Sequence, residues 1–183
     1  MNLTVTSFLV ISLGFAWVSR ASLTKPRSHG FYRFFAWEAI LALVLMNLKT
    51  WFVQPLSWHQ LISWVLLCIS AGLVIDALLR LRKSGEQDAS REDAPMLEFE
   101  KTTRLVTTGA YRYIRHPLYS SLLFLAWGVF FKQPSLAGLL LASTASTLLV
   151  ITAKIEEAEN IRYFGEEYRG YMTSTKMFIP HVY

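Results

Sequence analysis

Charge is the scarcest commodity in this chain: only 17% of its 183 residues are charged, against 53% hydrophobic. An ordinary soluble domain needs a larger charged surface, so that class is excluded in favour of a small integral membrane protein. There is one cysteine, which excludes an intramolecular disulfide and a cysteine-rich metal site. That residue, Cys68, lies within an apolar run and reads as a small packing residue. No Gly-x-Gly turn occurs, so the phosphate-binding fingerprint of a dinucleotide fold is absent. Internal repeats and low-complexity tracts are absent too. The net charge of +5 would suggest nucleic acid in a soluble protein. Here the basic residues fall between apolar runs, so membrane lipid headgroups are the expected partner and nucleic acid is not.

What is present is a succession of apolar runs, each long enough to be weighed as a helix crossing a hydrocarbon core of about 30 Å. The first covers residues 3–21, and with no basic residue before it and no small-residue cleavage site it is expected to be a retained span. Lys25-Pro26 stops it. The second covers 34–53 with Glu38 near its start, and Gln54-Pro55 ends it because proline removes a donor and restricts its predecessor. The third covers 58–79 with Asp76 near its far end. Tyr32, Trp51 and Trp58 fall near the boundaries, where amphipathic rings prefer to sit. A charged stretch, residues 80–104, is expected to be water-exposed. Runs at 117–131 and 136–152 are joined by Lys132-Gln133-Pro134-Ser135, a connection short enough to imply an antiparallel helical hairpin.

Counting Lys and Arg outside or at the edges of these runs gives four, one, eight, one and four, which accounts for all 18. By the positive-inside rule this alternation predicts five spans, with the N-terminus outside and the C-terminus in the cytoplasm. The expected fold class is therefore all-α: a polytopic membrane protein with five transmembrane helices, a hairpin of spans four and five, and a cytoplasmic C-terminal helix. The organisation expected is residues 1–80 as three N-terminal spans, 81–106 as a cytoplasmic connection, and 107–183 as the hairpin with its C-terminal helix, all in one integrated domain.

The chemistry concentrates at the cytoplasmic face. Pro117 is suited to the first position of the fourth helix, where its missing donor costs nothing. The free backbone donors and positive dipole end of that helix, beside Arg115 and His116, favour an anion. The fifth helix ends on the same side at Glu156 and Glu157, where a cation is favoured. Tyr111, Tyr113, Tyr119, Phe164 and Tyr168 are available as stacking walls. Glu157, Ile161, Phe164, Tyr168 and Tyr171 recur at helical spacing on one face, which reads either as part of this pocket or as an interfacial helix with its apolar side in the bilayer. A ligand with a carboxylate, a sulfonium or ammonium centre and a flat base fits such a lining, and S-adenosylmethionine has all three. From spacing alone, Arg115-His116-Pro117 serves equally as a lipid-headgroup contact and Glu156-Glu157 as a solvated helix end.

The block GAYRYIRHPLYSS, followed after an apolar hairpin by EEAENIRYFGEEYRGYMTSTKMFIP, resembles the C-terminal half of the isoprenylcysteine carboxyl methyltransferase and phospholipid N-methyltransferase superfamily. The likeness covers residues 100 to 180, and the ordered combination is specific where any single piece is not. It implies an S-adenosylmethionine-dependent membrane methyltransferase without a Rossmann domain. By position it implies that Arg115, His116, Pro117 and Tyr119 line the cofactor site, with Glu156 and Glu157 meeting it from the last helix, and Tyr111 and Tyr168 contributing. Arg115, Glu156 and Glu157 are the implied catalytic residues, and no metal is implied. The chain departs from the pattern at Ser121, where the family commonly has glycine, and at Lys154, where it commonly has arginine.

Methyl transfer from a sulfonium is an in-line displacement, so the protein mainly has to position the methyl and exclude water. A thiolate or carboxylate acceptor needs little acid-base help, whereas an amine must first be deprotonated, with Glu156, Glu157 or His116 as candidates. The expected acceptor is lipophilic, an isoprenylcysteine-type carboxylate or a lipid amine, and reaches the site laterally from the bilayer. Glu38 and Asp76 are candidates for selecting its headgroup, against the plainer reading of hydrated interfacial acids. Two rival functions stand beside this one. An NADPH-dependent lipid or sterol reductase shares an Arg-His-Pro segment but favours Asn where this chain has Leu118, and a non-catalytic scaffold would keep the fold alone.

Overall fold

The computed structural model describes residues 3–85, 97, 101–180 and 182, and among them all regular structure is helical. Seven α-helices follow in order: α1 (Leu3–Val18), α2 (Arg20–Leu23), α3 (His29–Asn47), α4 (Trp58–Ser84), α5 (Pro117–Phe130), α6 (Leu136–Phe164) and α7 (Glu166–Ser174). Every apolar run of the sequence is a helix here. Three are long and apolar enough to cross a membrane: α3 with its 3-10 extension to Thr50 at 22 residues, α4 at 27 and α6 at 29. The other two, α1 with 16 residues and α5 with 14, are apolar but shorter than the roughly 20 residues a straight crossing takes. Most of the expected connection between α4 and the hairpin lies outside the described residues.

Helix boundaries follow local chemistry. The Ser28 hydroxyl accepts the Phe31 amide at 3.2 Å, so α3 starts at His29, ahead of the apolar run. This draws His29 and Arg33 into the first turns of a helix, where both are buried. Ser135 caps α6 in the same way, accepting the Gly138 amide at 3.1 Å. Pro117 occupies the first turn of α5, as its missing donor favours. The C-terminal helix is not a smooth continuation of α6. Gly165 adopts φ +61°, a region glycine enters without strain, and the chain turns there into α7.

In the bundle α3 packs chiefly on α6 and α4 on α5, while α5 also contacts α3 and α6. Small residues permit the close approaches. A Cβ on Gly128 would meet the Leu67 side chain at 3.0 Å and its backbone nitrogen at 3.3 Å. Ala39, Ala126, Ala142 and Ala145 close the centre around Ile40, Leu43 and Val129. Ser121 lies on the α4 side of α5, where its carbonyl accepts the Ser70 hydroxyl at 2.7 Å. Cys68 is exposed on the outer surface of α4, so it is not the interior packing residue expected from sequence.

Opposite the Arg115 end, the loops are pinned by Gln60, whose amide donates to the carbonyls of Thr50, Val53 and Lys132. Its oxygen accepts from Lys132 Nζ at 3.0 Å, and the ammonium stands 3.1 Å from the Trp64 ring centre. Burial holds the Lys132 ammonium below the usual lysine range. The two acids singled out in the sequence are also occupied. Asp76 accepts the Ala110 amide at 2.7 Å and Arg80 Nε at 3.1 Å, holding the 3-10 turn Gly109–Arg112 against α4. Glu38 accepts the Ser12 hydroxyl at 2.5 Å and so ties α3 to α1.

Candidate functional site

At the end of the bundle where α5 begins and α6 ends, a cavity is walled by residues from nearly every element. Tyr111, Arg115 and His116 come from the segment leading into α5, and Leu118 and Tyr119 from its first turn. Glu156, Glu159, Asn160 and Phe164 come from α6, Tyr168 and Tyr171 from α7, His29 from α3, and Leu81 from α4. Neither Glu38 nor Asp76 is on this wall.

The two ends expected to have opposite polarity do meet, and they neutralise one another directly. Arg115 Nε donates to Glu157 Oε1 at 2.6 Å, and His116 Nε2 lies 3.3 Å from the same oxygen. His116 Nδ1 is 3.7 Å from Glu156 Oε1, and the Tyr119 hydroxyl donates to Glu156 Oε2. Arg115, His116 and Glu157 are largely excluded from water, whereas Glu156 keeps more than a quarter of its side-chain surface. Glu156 is therefore the carboxylate of the pair that faces the cavity. Glu157 and Pro117 stand behind the wall, Glu157 as the buried partner that fixes Arg115 and His116.

Arg115 is held from a second direction by the end of α7 and by the segment that follows it, residues 175–178, a C-terminal strap. Its Nη1 donates to the carbonyls of Thr175 at 2.5 Å and Met172 at 3.4 Å. The strap pairs with residues 113–116 through backbone bonds: Arg115 N to Lys176 O at 2.8 Å, His116 N to Met177 O at 3.2 Å, and Lys176 N to Tyr113 O at 3.0 Å. Ser120 donates its hydroxyl to Phe178 O, and the Phe178 ring lies against His116. With Nε and Nη1 so engaged, Nη2 is the part of the guanidinium with no hydrogen-bond partner among the described residues.

The aromatic side is equally fixed. Phe164 and Tyr168 lie nearly parallel at 19°, across the break at Gly165. The Tyr171 hydroxyl donates to the Tyr111 carbonyl at 2.5 Å, locking α7 to the 3-10 turn. Burial, and then the Glu156 carboxylate, push the Tyr168 phenol well above the ordinary tyrosine range, and burial pushes Tyr171 up as well. Both are neutral hydrogen-bonding walls at physiological pH. Tyr113, considered as a wall from sequence, is exposed and stays outside.

His29, Glu159 and Asn160 are cavity residues that sequence reasoning passed over. His29 Nδ1 sits 2.5 Å from Glu159 Oε2, and both side chains are almost wholly buried. The one signal for His29 was Ser28 as a helix cap, which places the histidine inside α3 instead of in a loop. Among the described residues no group of three or more His, Cys, Asp or Glu is arranged to hold a metal ion.

Comparison with known proteins bears on the same region. A family model described as phospholipid methyltransferase matches residues 58–167. A methanethiol S-methyltransferase of Crocosphaera subtropica is 25% identical over 181 aligned residues, covering 91% of this chain and 66% of the relative. Proteins of the same description from Pseudomonas deceptionensis and Bradyrhizobium diazoefficiens are 30% and 32% identical over 70 and 77 residues, about two-fifths of this chain and 26% of each relative. The chain thus spans from about a quarter to just under two-thirds of the length of these relatives. No solved structure matches it.

Proposed function

Because this chain belongs to the phospholipid methyltransferase family, and is accordingly an integral membrane methyltransferase, we propose that it transfers a methyl group from S-adenosylmethionine to a lipophilic acceptor at the cytoplasmic end of its bundle. The observation that carries this reading is the buried Arg115–Glu157–His116–Glu156 cluster facing the Phe164–Tyr168 wall across one cavity. The donor fits that lining at each of its parts. Arg115 is placed for its carboxylate, Glu156 with the Tyr119 and Tyr168 rings for its positive centre, and Phe164 for its flat base.

Bound S-adenosylmethionine supplies an electrophilic methyl on a sulfonium. The protein's own part is placement and exclusion of water. Glu157 and the strap fix the guanidinium, so that donor binding does not have to order it. Tyr119 fixes Glu156, whose charge attracts the sulfonium and so raises the local concentration of the reactive form.

The topology that suits this chemistry has five spans, with α1 and α5 completing the crossing beside α3, α4 and α6, and with the C-terminus and the cavity in the cytoplasm. It is supported by the alternation of basic residues along the sequence. For the acceptor, relatives named for methanethiol put a thiol beside the lipid amine and the isoprenylcysteine carboxylate that the family resemblance suggests.

Two measurements test this reading. Calorimetric titration of the purified protein should show binding of S-adenosylmethionine and none of NADPH; NADPH binding in its place overturns the proposal. Transfer of labelled methyl into a total lipid and thiol extract, with the product identified by mass, then names the acceptor.

A further inference from the structure

Asp76, near the end of α4, lies off the cavity wall, yet its carboxylate holds a segment that forms part of that wall. Its two oxygens have separate partners: Oδ1 accepts Arg80 Nε at 3.1 Å, and Oδ2 accepts the Ala110 amide at 2.7 Å. That amide belongs to the 3-10 turn Gly109–Arg112, which Thr108 precedes without a side-chain cap. A turn so short does not hold its shape alone, and the α4 carboxylate supplies the missing acceptor from outside. Gly109 opens the turn at φ +64°, and a Cβ there would stand 2.5 Å from Asp76 Oδ2 and 2.6 Å from Arg80 Nε. The turn is thus seated directly on the Asp76–Arg80 pair.

Resting on the donor site proposed above, we infer that Asp76 is a positioning residue for that site: by fixing the turn it sets Tyr111, and through Tyr111 the α7 part of the aromatic wall. Tyr111 follows Ala110, is buried with Ala77, Leu81 and Val106, and lines the cavity. Its carbonyl accepts the Tyr171 hydroxyl at 2.5 Å, and the Tyr171 ring meets the Tyr168 ring edge-on at 5.8 Å between centres. Tyr168 in turn lies against Phe164. The join of α7 to α6 does not fix the angle of this nine-residue helix, because Gly165 has open space around it. Hydrogen bonds fix it instead, from Arg115 to the Met172 and Thr175 carbonyls and from Tyr171 to the turn. Asp76 secures the second of these holds with a charged acceptor, which bonds an amide more strongly than a neutral one. It touches neither donor nor acceptor, so its loss falls on donor affinity and not on the transfer step.

The test uses the full chain in lipid nanodiscs, with S-adenosylmethionine titrated by calorimetry. Asp76→Ala should weaken donor binding about tenfold at unchanged stoichiometry. A purely structural acid would instead lower the fraction of protein that binds and leave the affinity of that fraction alone. Asp76→Asn, whose carbonyl oxygen can still accept the Ala110 amide, should stay within about threefold of wild type. Tyr171→Phe, which cuts the same route at its other end, should also lose about tenfold. The double variant Asp76→Ala, Tyr171→Phe should lose about 10- to 30-fold, well short of the product of the two. At saturating donor, kcat of Asp76→Ala should stay within about threefold of wild type, read with whichever of an alkanethiol and phosphatidylethanolamine the wild type methylates.

Unchanged donor affinity in Asp76→Ala, an equal loss in Asp76→Asn, or losses that multiply in the double variant overturns the inference. A rise in acceptor KM alone overturns it as well, and makes Asp76 a reader of the acceptor. Should Asp76→Ala not fold, Gly109→Ala displaces the same turn with the acid in place; it should weaken donor binding likewise, and wild-type affinity there is an overturning result. Failure of the wild type to bind the donor removes the reading on which the inference rests, whereas donor binding with an unaffected Asp76→Ala removes the positioning role alone.

Discussion

A buried ion pair is costly to assemble and more costly to break, because removing one partner strands a charge where water cannot reach it. Arg115 and Glu157 are in that position, each side chain only 10% exposed and 2.6 Å apart. Arg115→Ala and Glu157→Ala are each expected to destabilise the protein by about 3–5 kcal/mol in detergent unfolding. The double variant should cost clearly less than the sum, because it strands no charge; strict additivity would mean that the pair is not coupled. Tyr168 and Tyr171 give a second expectation at this scale. Their folded pKa values are raised, so the fold favours the protonated phenols. The stabilisation is complete below the unfolded phenol pKa of about 10 and is lost as pH rises above it. Thermal midpoints measured from pH 8 to 11 should fall on the alkaline side, and Tyr168→Phe should flatten that fall. The residue types were legible in the sequence, and Arg115, His116, Tyr119 and Glu156 line one cavity. That Glu157 faces its neighbours and Glu156 the cavity was not, since adjacent helical residues point about 100° apart and only packing says which direction is inward.

Among the elements, the junction of α6 and α7 is the most exacting. Gly165 has φ +61° with nothing within 4 Å of an added Cβ, so a side chain there meets backbone strain and no clash. Gly165→Ala should cost about 1–3 kcal/mol and weaken donor binding by tilting Tyr168 away from Phe164. Gly170, inside α7 with equally open surroundings and no positive φ, is its control. Gly170→Ala should be neutral or stabilising by about 0.5–1 kcal/mol, and equal losses at both positions would discount the strain argument. The periodicity from Glu157 to Tyr171 was visible in sequence as one helical face, yet the face is split between two helices. A pattern of spacings cannot register a single residue in the left-handed region. His29 escaped for a related reason: hydrophobicity placed the start of the second run at Phe34, beyond Arg33, while the hydroxyl of Ser28 starts α3 earlier.

For the whole molecule the testable matter is which end faces which side. With Cys68 replaced by alanine, single cysteines at Gln133 and Thr108, both exposed, report on the two ends of the bundle. Membrane-impermeant thiol reagent applied to intact cells should label Gln133→Cys and spare Thr108→Cys until the membrane is opened; labelling of both from one side would reject the five-span arrangement. The sequence by itself determined the solvent, the helical class and the residues capable of chemistry, because hydrophobicity, helix termination and side-chain functional groups are local properties. Only the tertiary structure decided which of those groups share a cavity. It made Asp76 a tether for a turn, set Glu157 behind the wall, and brought His29 of α3 to Glu159 of α6, 130 residues on. Such pairings depend on how helices pack and on where a glycine lets the chain turn, and no run of neighbouring residues encodes them.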